Sequence, residues 1–153
     1  MNVLVFHLGG CTLEASILNH RSGRWEIRAC ERVLFTGGCI VDDLLVNDCM
    51  AGIEKDHKIS KEEKITIRKK LLVVCQRAKL KLSKQETCEI DASVLQKYPF
   101  SYTLTRSKFA VLCTEVQNKC TQTLDILLNK EAISRNDIHK IIIEGGSTQL
   151  HWV

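Results

Sequence analysis

Residues 3–12 read Val-Leu-Val-Phe-His-Leu-Gly-Gly-Cys-Thr: an apolar run that empties into a small-residue turn. A matching turn, Ile-Glu-Gly-Gly-Ser-Thr, stands at 143–148 near the other end of the chain. A strand that ends in a glycine turn leaves backbone N–H groups pointing outward, where a phosphate can accept their hydrogen bonds. Two such turns, 130-odd positions apart, predict a nucleotide cradle assembled from remote segments. The plainer alternative is turn geometry that binds nothing.

The rest of the chain sets the frame for that cradle. Its 153 residues are 44% hydrophobic and 26% charged, which suffices for one buried core, and a single domain over 1–153 is expected. No apolar stretch reaches transmembrane length, and no basic-then-apolar leader opens the sequence. The expected location is therefore the cytoplasm, with the nucleus as the alternative. Eight cysteines are spread without a Cys-x-x-Cys pair, so they are read as reduced thiols, mostly buried at apolar positions of helices. The five histidines have no ligand-like spacing with them, and no metal site is predicted.

Period-2 patterning predicts strands at 2–7, 12–19 and 25–33, with Arg21-Ser-Gly-Arg24 as the turn before the third. Gly37-Gly38 opens a helix to about His57, with Ile40/Val41, Leu44/Leu45, Asp48/Cys49 and Ala51/Gly52 near the helical period. Ser60-Lys-Glu-Glu63 is a capping box that starts a helix to about Leu82, with Ile67, Leu71, Cys75, Ala78 and Leu82 on one apolar stripe. Strands at 86–92 and 100–105 flank the only proline, Pro99. A helix over 106–129 follows, with Phe109, Leu112, Cys113, Val116, Cys120, Leu124 and Leu127 on one face. Ser134–Asp137 reads as a short helical cap, and 140–144 as a final strand. The order is that of a mixed α/β or α+β domain.

These blocks resemble the second lobe of the nucleotide-binding domain of seventy-kilodalton heat-shock chaperones, within the actin-like (ribonuclease H-like) ATPase superfamily. Val3–Leu18 looks like that family's Asp-Leu-Gly-Gly-Gly-Thr strand-turn-strand, and Gly37-Gly38 its second glycine turn. Residues 75–83, Cys-Gln-Arg-Ala-Lys-Leu-Lys-Leu-Ser, are similar to its adenosine helix. Thr105-Arg-Ser-Lys-Phe109 is similar to a helix start of the family, and residues 138–148 to its last phosphate-and-adenosine turn. The resemblance runs in order across nearly the whole chain. It implies lobe II only, with lobe I and the peptide-binding domain absent from this sequence.

The resemblance also implies roles. Gly9, Gly10 and Thr12 would approach the β- and γ-phosphates, with Gly37 and Gly38 flanking the nucleotide. Gln76, Lys79, Leu80 and Ser83 would line the adenosine pocket, closed by Gly145, Gly146, Ser147 and Gln149. Residues 76, 79, 80 and 83 do share one helix face by spacing, although a solvated surface has the same pattern.

Departures from the family pattern are as informative. His7 stands where the family has an aspartate that helps hold hydrated magnesium, and magnesium takes hard oxygen ligands. A protonated imidazole there would repel the metal by roughly 1–4 kcal/mol at ~4 Å, whereas a plain solvated strand-end histidine would only remove an anchor. Cys11 replaces the third glycine of the turn, and Cys39 a glutamate. Leu80 and Gln149 replace two adenine-stacking arginines, and Gln76 a ribose-contacting glutamate. Weak ATP or ADP binding without turnover is the expectation, with no catalytic residue assigned and magnesium doubtful because of His7.

The expected partners are nucleotide-exchange-factor or J-type co-chaperones, with no membrane. Ten basic residues between Lys58 and Lys84 face only Glu62 and Glu63 in that interval. They are spread around the helix without interleaved aromatics, so a solvated face is favoured over nucleic-acid binding. Two other readings remain open: an ATP-binding half that needs a first lobe from a longer product or another chain, and a fragment without function.

Overall fold

The computed structural model describes residues 1–153, which cluster into two compact units. The first comprises residues 1–40, 115–149 and 153; the second comprises 41–114 and 150–152.

The first unit is organised on the apolar run that opens the chain. Strand β1 (Asn2–Leu8) pairs antiparallel with β2 (Thr12–Arg21), which pairs antiparallel with β3 (Arg24–Leu34). On its other side β1 pairs in parallel with the last strand, here β6 (Ile138–Glu144), giving the order β3-β2-β1-β6. Burial follows position in the sheet. In β1, Val3, Leu4, Phe6 and Leu8 are buried. In β2, Leu13, Ala15 and Ile17 are buried in strict alternation, as one covered sheet face requires. The predicted turn is a two-residue hairpin loop in which Ser22 and Gly23 both have positive φ, +51° and +77°. That is the primed geometry whose twist suits antiparallel strands. The same unit contains most of helix α4 (Thr114–Lys130), which buries Val116, Cys120, Thr123, Leu127 and Leu128. The Ser134 cap is present as predicted: Ser134 N donates to Asp137 Oδ2 at 2.9 Å.

In the second unit, helix α2 (Lys61–Leu82) buries Ile67, Leu71, Cys75, Ala78 and Leu82, the stripe read from the sequence. Both arms of its capping box form, Glu63 N to Ser60 Oγ at 3.2 Å and Ser60 N to Glu63 Oε2 at 3.1 Å. Helix α1 (Gly38–Asp56) has residues 38–40 in the first unit and the remainder here. Its buried positions are Val41/Asp42, Leu45/Val46, Cys49/Met50 and Ile53, one residue later in phase than the predicted pairs. Gly52, which weakens the helical pattern, has a packing reason. A Cβ there would lie 2.6 Å from the Phe100 ring. Strands β4 (Thr87–Asp91) and β5 (Ser101–Thr105) form a two-stranded antiparallel sheet.

The predicted 106–129 helix is two helices, α3 (Arg106–Leu112) and α4, interrupted at Cys113. No proline or glycine marks the break. Cys113 leaves helical geometry at φ −90°, ψ 6°, and the Thr114 hydroxyl donates back to Val111 O at 2.8 Å, a competing bond of the kind that bends helices. The cysteines are mostly buried, as expected. Cys49, Cys75, Cys88, Cys113 and Cys120 are buried, but Cys11 and Cys30 are exposed and Cys39 is half-buried, because a turn, an edge strand and a helix start hold them.

Much of the basic run is paired within its unit. Lys64 meets Glu54 at 2.9 Å, Arg68 Nη1 donates to Asn47 Oδ1 at 2.7 Å, and Lys79 meets Asp42 at 2.7 Å. No helix is long and apolar enough to cross a membrane.

The α2 cap predicts a defined acid response. Lys97 donates to Glu63, and with the Ser60 contacts and the Tyr98 hydroxyl it holds the Glu63 carboxyl at about 2, far below the usual carboxylate range. A depressed folded-state pKa contributes stability above the unfolded value, and that contribution is lost as pH falls toward the folded one. The stability difference between wild type and Glu63→Gln should therefore be largest near pH 6 and shrink between about pH 4.5 and pH 2. Urea midpoints across that range test it, and a difference constant with pH would count against the assignment.

Candidate functional site

Strand β1 delivers its turn to the place where two other glycine turns meet it, all within the first unit. Gly9 N donates to Thr12 O at 2.9 Å and closes the turn. The Gly9 carbonyl accepts from Gly38 N at 3.0 Å and from Ser147 Oγ at 2.8 Å. The Gly10 carbonyl accepts from Cys39 N at 2.7 Å, and the Cys11 carbonyl from Thr36 N at 3.2 Å. Two sequence-remote segments are thus tied to one turn.

Two of the glycines are required by space as well as by φ. Gly37 has φ +153°, and a Cβ on it would lie 2.4 Å from Gly9 O and 2.9 Å from Gly10 O. Gly145 has φ +95°, and a Cβ there would lie 2.3 Å from Leu8 O. By contrast, Gly10 and Gly146 have nothing within 4 Å of an added Cβ, and both are exposed.

That asymmetry fixes the direction of the donors. In a trans peptide the C=O and the following N–H point in opposite directions. Because the Gly9 and Gly10 carbonyls point at α1 and Ser147, the N–H groups of Gly10 and Cys11 point the other way. The Gly145 carbonyl accepts from Thr148 Oγ1 at 2.6 Å and Thr148 N at 3.1 Å, which likewise turns the Gly146 N–H outward. Adjacent outward-pointing amides form an anion-binding concavity.

Around this turn His7 is close-packed: a Cβ on Gly9 would stand 2.8 Å from His7 Nε2 and 3.4 Å from Thr12 Oγ1. In the sheet His7 is in register with Glu14 of β2 and Glu144 of β6, so the three side chains share one face. Glu14 is occupied by Arg32, whose Nε and Nη2 lie 2.7 and 2.5 Å from Oε2. Sequence reading missed these two carboxylates. The signal was available in the strand alternation, but the register of β6 against β1 was not. Nowhere in the chain do three or more His, Cys, Asp or Glu side chains converge as a metal would need.

The remaining predicted residues fall as follows. Gln149 is exposed at the end of the 3-10 turn Gly146–Gln149. Gln76, Lys79, Leu80 and Ser83 are all on α2, in the second unit. Two of them are drawn to a residue the sequence did not single out. Gln76 Nε2 donates to Asp42 Oδ2 at 3.3 Å, and Lys79 Nζ lies 2.7 Å from Asp42 Oδ1. Asp42 is 5% exposed, on the buried side of α1. Leu80 is exposed at 62%, and Ser83 is half-buried at the end of α2. That end is closed by Arg106, whose Nε donates to Leu82 O at 2.9 Å and Nη2 to Ser83 O at 3.2 Å.

The chain is similar to known proteins over nearly its whole length. A heat shock 70 kDa protein of Neurospora crassa is 32% identical over 151 residues, 97% of this chain and 23% of its own length. Heat shock cognate 70 kDa protein 3 of Dictyostelium discoideum is 31% identical, over 98% of this chain and 24% of its own. The chaperone protein dnaK of Cyanophora paradoxa is 29% identical, over 97% and 25%. The chain thus spans about a quarter of the length of the curated relatives it matches. The sheets and four helices have the mixed α/β architecture of a part of the actin-like ATPase domain. The family model described as Hsp70 protein matches residues 1–153 throughout, and the chain belongs to the Hsp70 family.

Proposed function

We propose that this chain is a non-hydrolysing Hsp70 ATPase-domain lobe, equivalent to lobe II, that retains a weak phosphate-side cradle for ATP or ADP and acts through co-chaperone docking. The observation that carries the nucleotide reading is the outward direction of the Gly10, Cys11 and Gly146 amides, enforced by the carbonyl partners on their other sides. Gly9, Gly37, Gly38, Gly145 and Ser147 hold that direction, while Gly10, Gly146 and the Thr12 side offer the surface. Gln149 sits at the rim.

Magnesium does not fit the groups beside this turn. His7 supplies an imidazole, Cys11 and Cys39 supply thiols, the Glu14 carboxylate is engaged by Arg32, and Glu144, in register with His7, is the one carboxylate left on that face. These are poor substitutes for the oxygen shell the ion demands. Phosphoryl transfer relies on metal neutralisation and on positioning from more than one side, so turnover is not part of the proposal. On α2, in the second unit, Gln76 and Lys79 are engaged with Asp42, which weakens the adenosine roles that the resemblance implies for them.

The docking half of the proposal rests on the family alone: exchange factors and J-type proteins are the partner classes that the resemblance implies. A second reading has one observation in its favour, the quarter-length coverage of relatives. Under it, the chain is an ATP-binding half that works with a first lobe supplied by a longer product or a separate chain.

Calorimetric titration with ADP, first with magnesium and then with chelator, tests the proposal. Saturable heat unchanged by chelator is the expected result. Heat that disappears on chelation would restore magnesium and favour the half-enzyme reading. Folded protein giving no heat would remove the nucleotide reading and leave docking to be tested by pull-down with purified exchange factor.

A further inference from the structure

Cys11 and Cys39 are 28 positions apart in sequence and face one another across the junction of two turns. Cys39 N donates to Gly10 O at 2.7 Å, and Thr36 N donates to Cys11 O at 3.2 Å, so the two backbones run side by side here. Because Gly10 O belongs to the peptide that precedes Cys11, this bond holds the two Cα atoms no more than about 7 Å apart, within reach of a disulfide. The Cys11 side chain is also near enough to contribute to the raised pKa of the Cys39 thiol. Solvent reaches the pair, since Cys11 is exposed and Cys39 half-buried.

No other cysteine competes. Cys30, the remaining exposed thiol, pairs with Ser16 on β3, four strand positions beyond the Thr12–Leu34 pair that borders the turn. At about 3.3 Å per residue that is roughly 13 Å away, beyond bridging distance. Cys49 and Cys75 also approach, with sulfurs 3.8 Å apart, but both are fully buried and shielded from soluble oxidants.

We propose that Cys11 and Cys39 are an oxidant-responsive pair that closes to a disulfide, stapling the Gly9–Thr12 turn to the start of α1. With a low-molecular-weight disulfide such as oxidised glutathione as the oxidant, exposed Cys11 attacks first as the thiolate. It forms a mixed disulfide and releases one glutathione thiolate. Cys39, losing its proton to solvent, then attacks Cys11 Sγ and expels the second glutathione. Two protein thiols are oxidised and one glutathione disulfide is reduced to two thiols. Burial, with the neighbouring Cys11 thiol, raises the Cys39 pKa, which makes it the slower, resolving member of the pair. The inference is independent of nucleotide binding.

The test is peptide mapping of the folded chain after exposure to oxidised glutathione, digested with trypsin without reductant. The expected product joins the 1–21 peptide to the 33–55 peptide, with fragmentation placing the link at Cys11 and Cys39 and not at Cys49. It should vanish with dithiothreitol, and in Cys39→Ser the Cys11 glutathione adduct should persist instead. Circular dichroism confirms that each variant is folded. A stable Cys11 adduct in the wild-type chain, a link to Cys30 or to a second molecule, or no reaction at Cys11 would each overturn the proposal.

Discussion

Gly145→Ala should destabilise the chain by about 3 kcal/mol, and Gly146→Ala by no more than about 0.5 kcal/mol, although the two residues are adjacent. Two costs combine at Gly145. Its φ of +95° is unfavourable for any residue with a side chain, and a Cβ would sit 2.3 Å from the Leu8 carbonyl oxygen and 2.7 Å from its carbon. Those are backbone atoms of the central strand, so relief requires moving β1 itself. Gly146 has open space in the same direction. Gly37→Ala and Gly10→Ala form a second such contrast, with the Gly9 and Gly10 carbonyls as the obstruction at Gly37. Urea unfolding of the four variants measures all of this. For a chain of this size 3 kcal/mol corresponds to a Tm drop of about 6–12 °C. Similar losses at Gly145 and Gly146 would mean that the turns do not approach β1 as closely as described.

Asp42→Ala should cost a comparable ~3 kcal/mol, for an electrostatic reason. The Asp42 side chain is 7% exposed and that of Lys79 only 16%, with 2.7 Å between Nζ and Oδ1. Removing the carboxylate takes the ion-pair partner at 2.7 Å from a nearly buried ammonium, and Gln76 loses its acceptor as well. Lys79→Met should be similarly harmful, since it strands the carboxylate. The double variant Asp42→Leu/Lys79→Met should recover most of the loss, because a buried pair is worth little more than well-packed apolar groups of the same volume. A double-mutant cycle with Asp42→Leu and Lys79→Met as its single variants reads the coupling directly; single losses of about 3 kcal/mol each beside a nearly recovered double variant amount to a coupling of about 5 kcal/mol. Strictly additive single losses below about 1 kcal/mol would show that the pair is a solvated surface contact.

Asp42 also shows where sequence reading stops. Helix α2 was legible in full, because its capping box is local and its stripe keeps the 3.6-residue period without a charged member. In α1 the buried stripe lies one residue later than expected and takes in Asp42, whose partner comes from another helix 37 positions on. The break at Cys113 was hidden for a different reason: a threonine hydroxyl competing for a helical carbonyl leaves no Gly or Pro in the sequence. The glycine turns were readable because positive φ and close approach demand glycine at Gly37 and Gly145. The facing of Cys11 and Cys39 and the register of Glu14 and Glu144 with His7 depend on long-range pairing, which local patterns do not encode.

The most direct test of the cradle is an amide-resolved NMR titration of the folded chain with ADP in the presence of chelator. Glycine amides are well suited to it, because the donors assigned to the phosphates are backbone N–H groups. Saturable shifts should be largest at Gly10, Cys11 and Gly146, should persist unchanged on adding magnesium, and should be lost in Gly145→Ala where that variant remains folded. Shifts that saturate elsewhere while those three amides stay fixed would contradict the account, as would no shift at all at millimolar ADP.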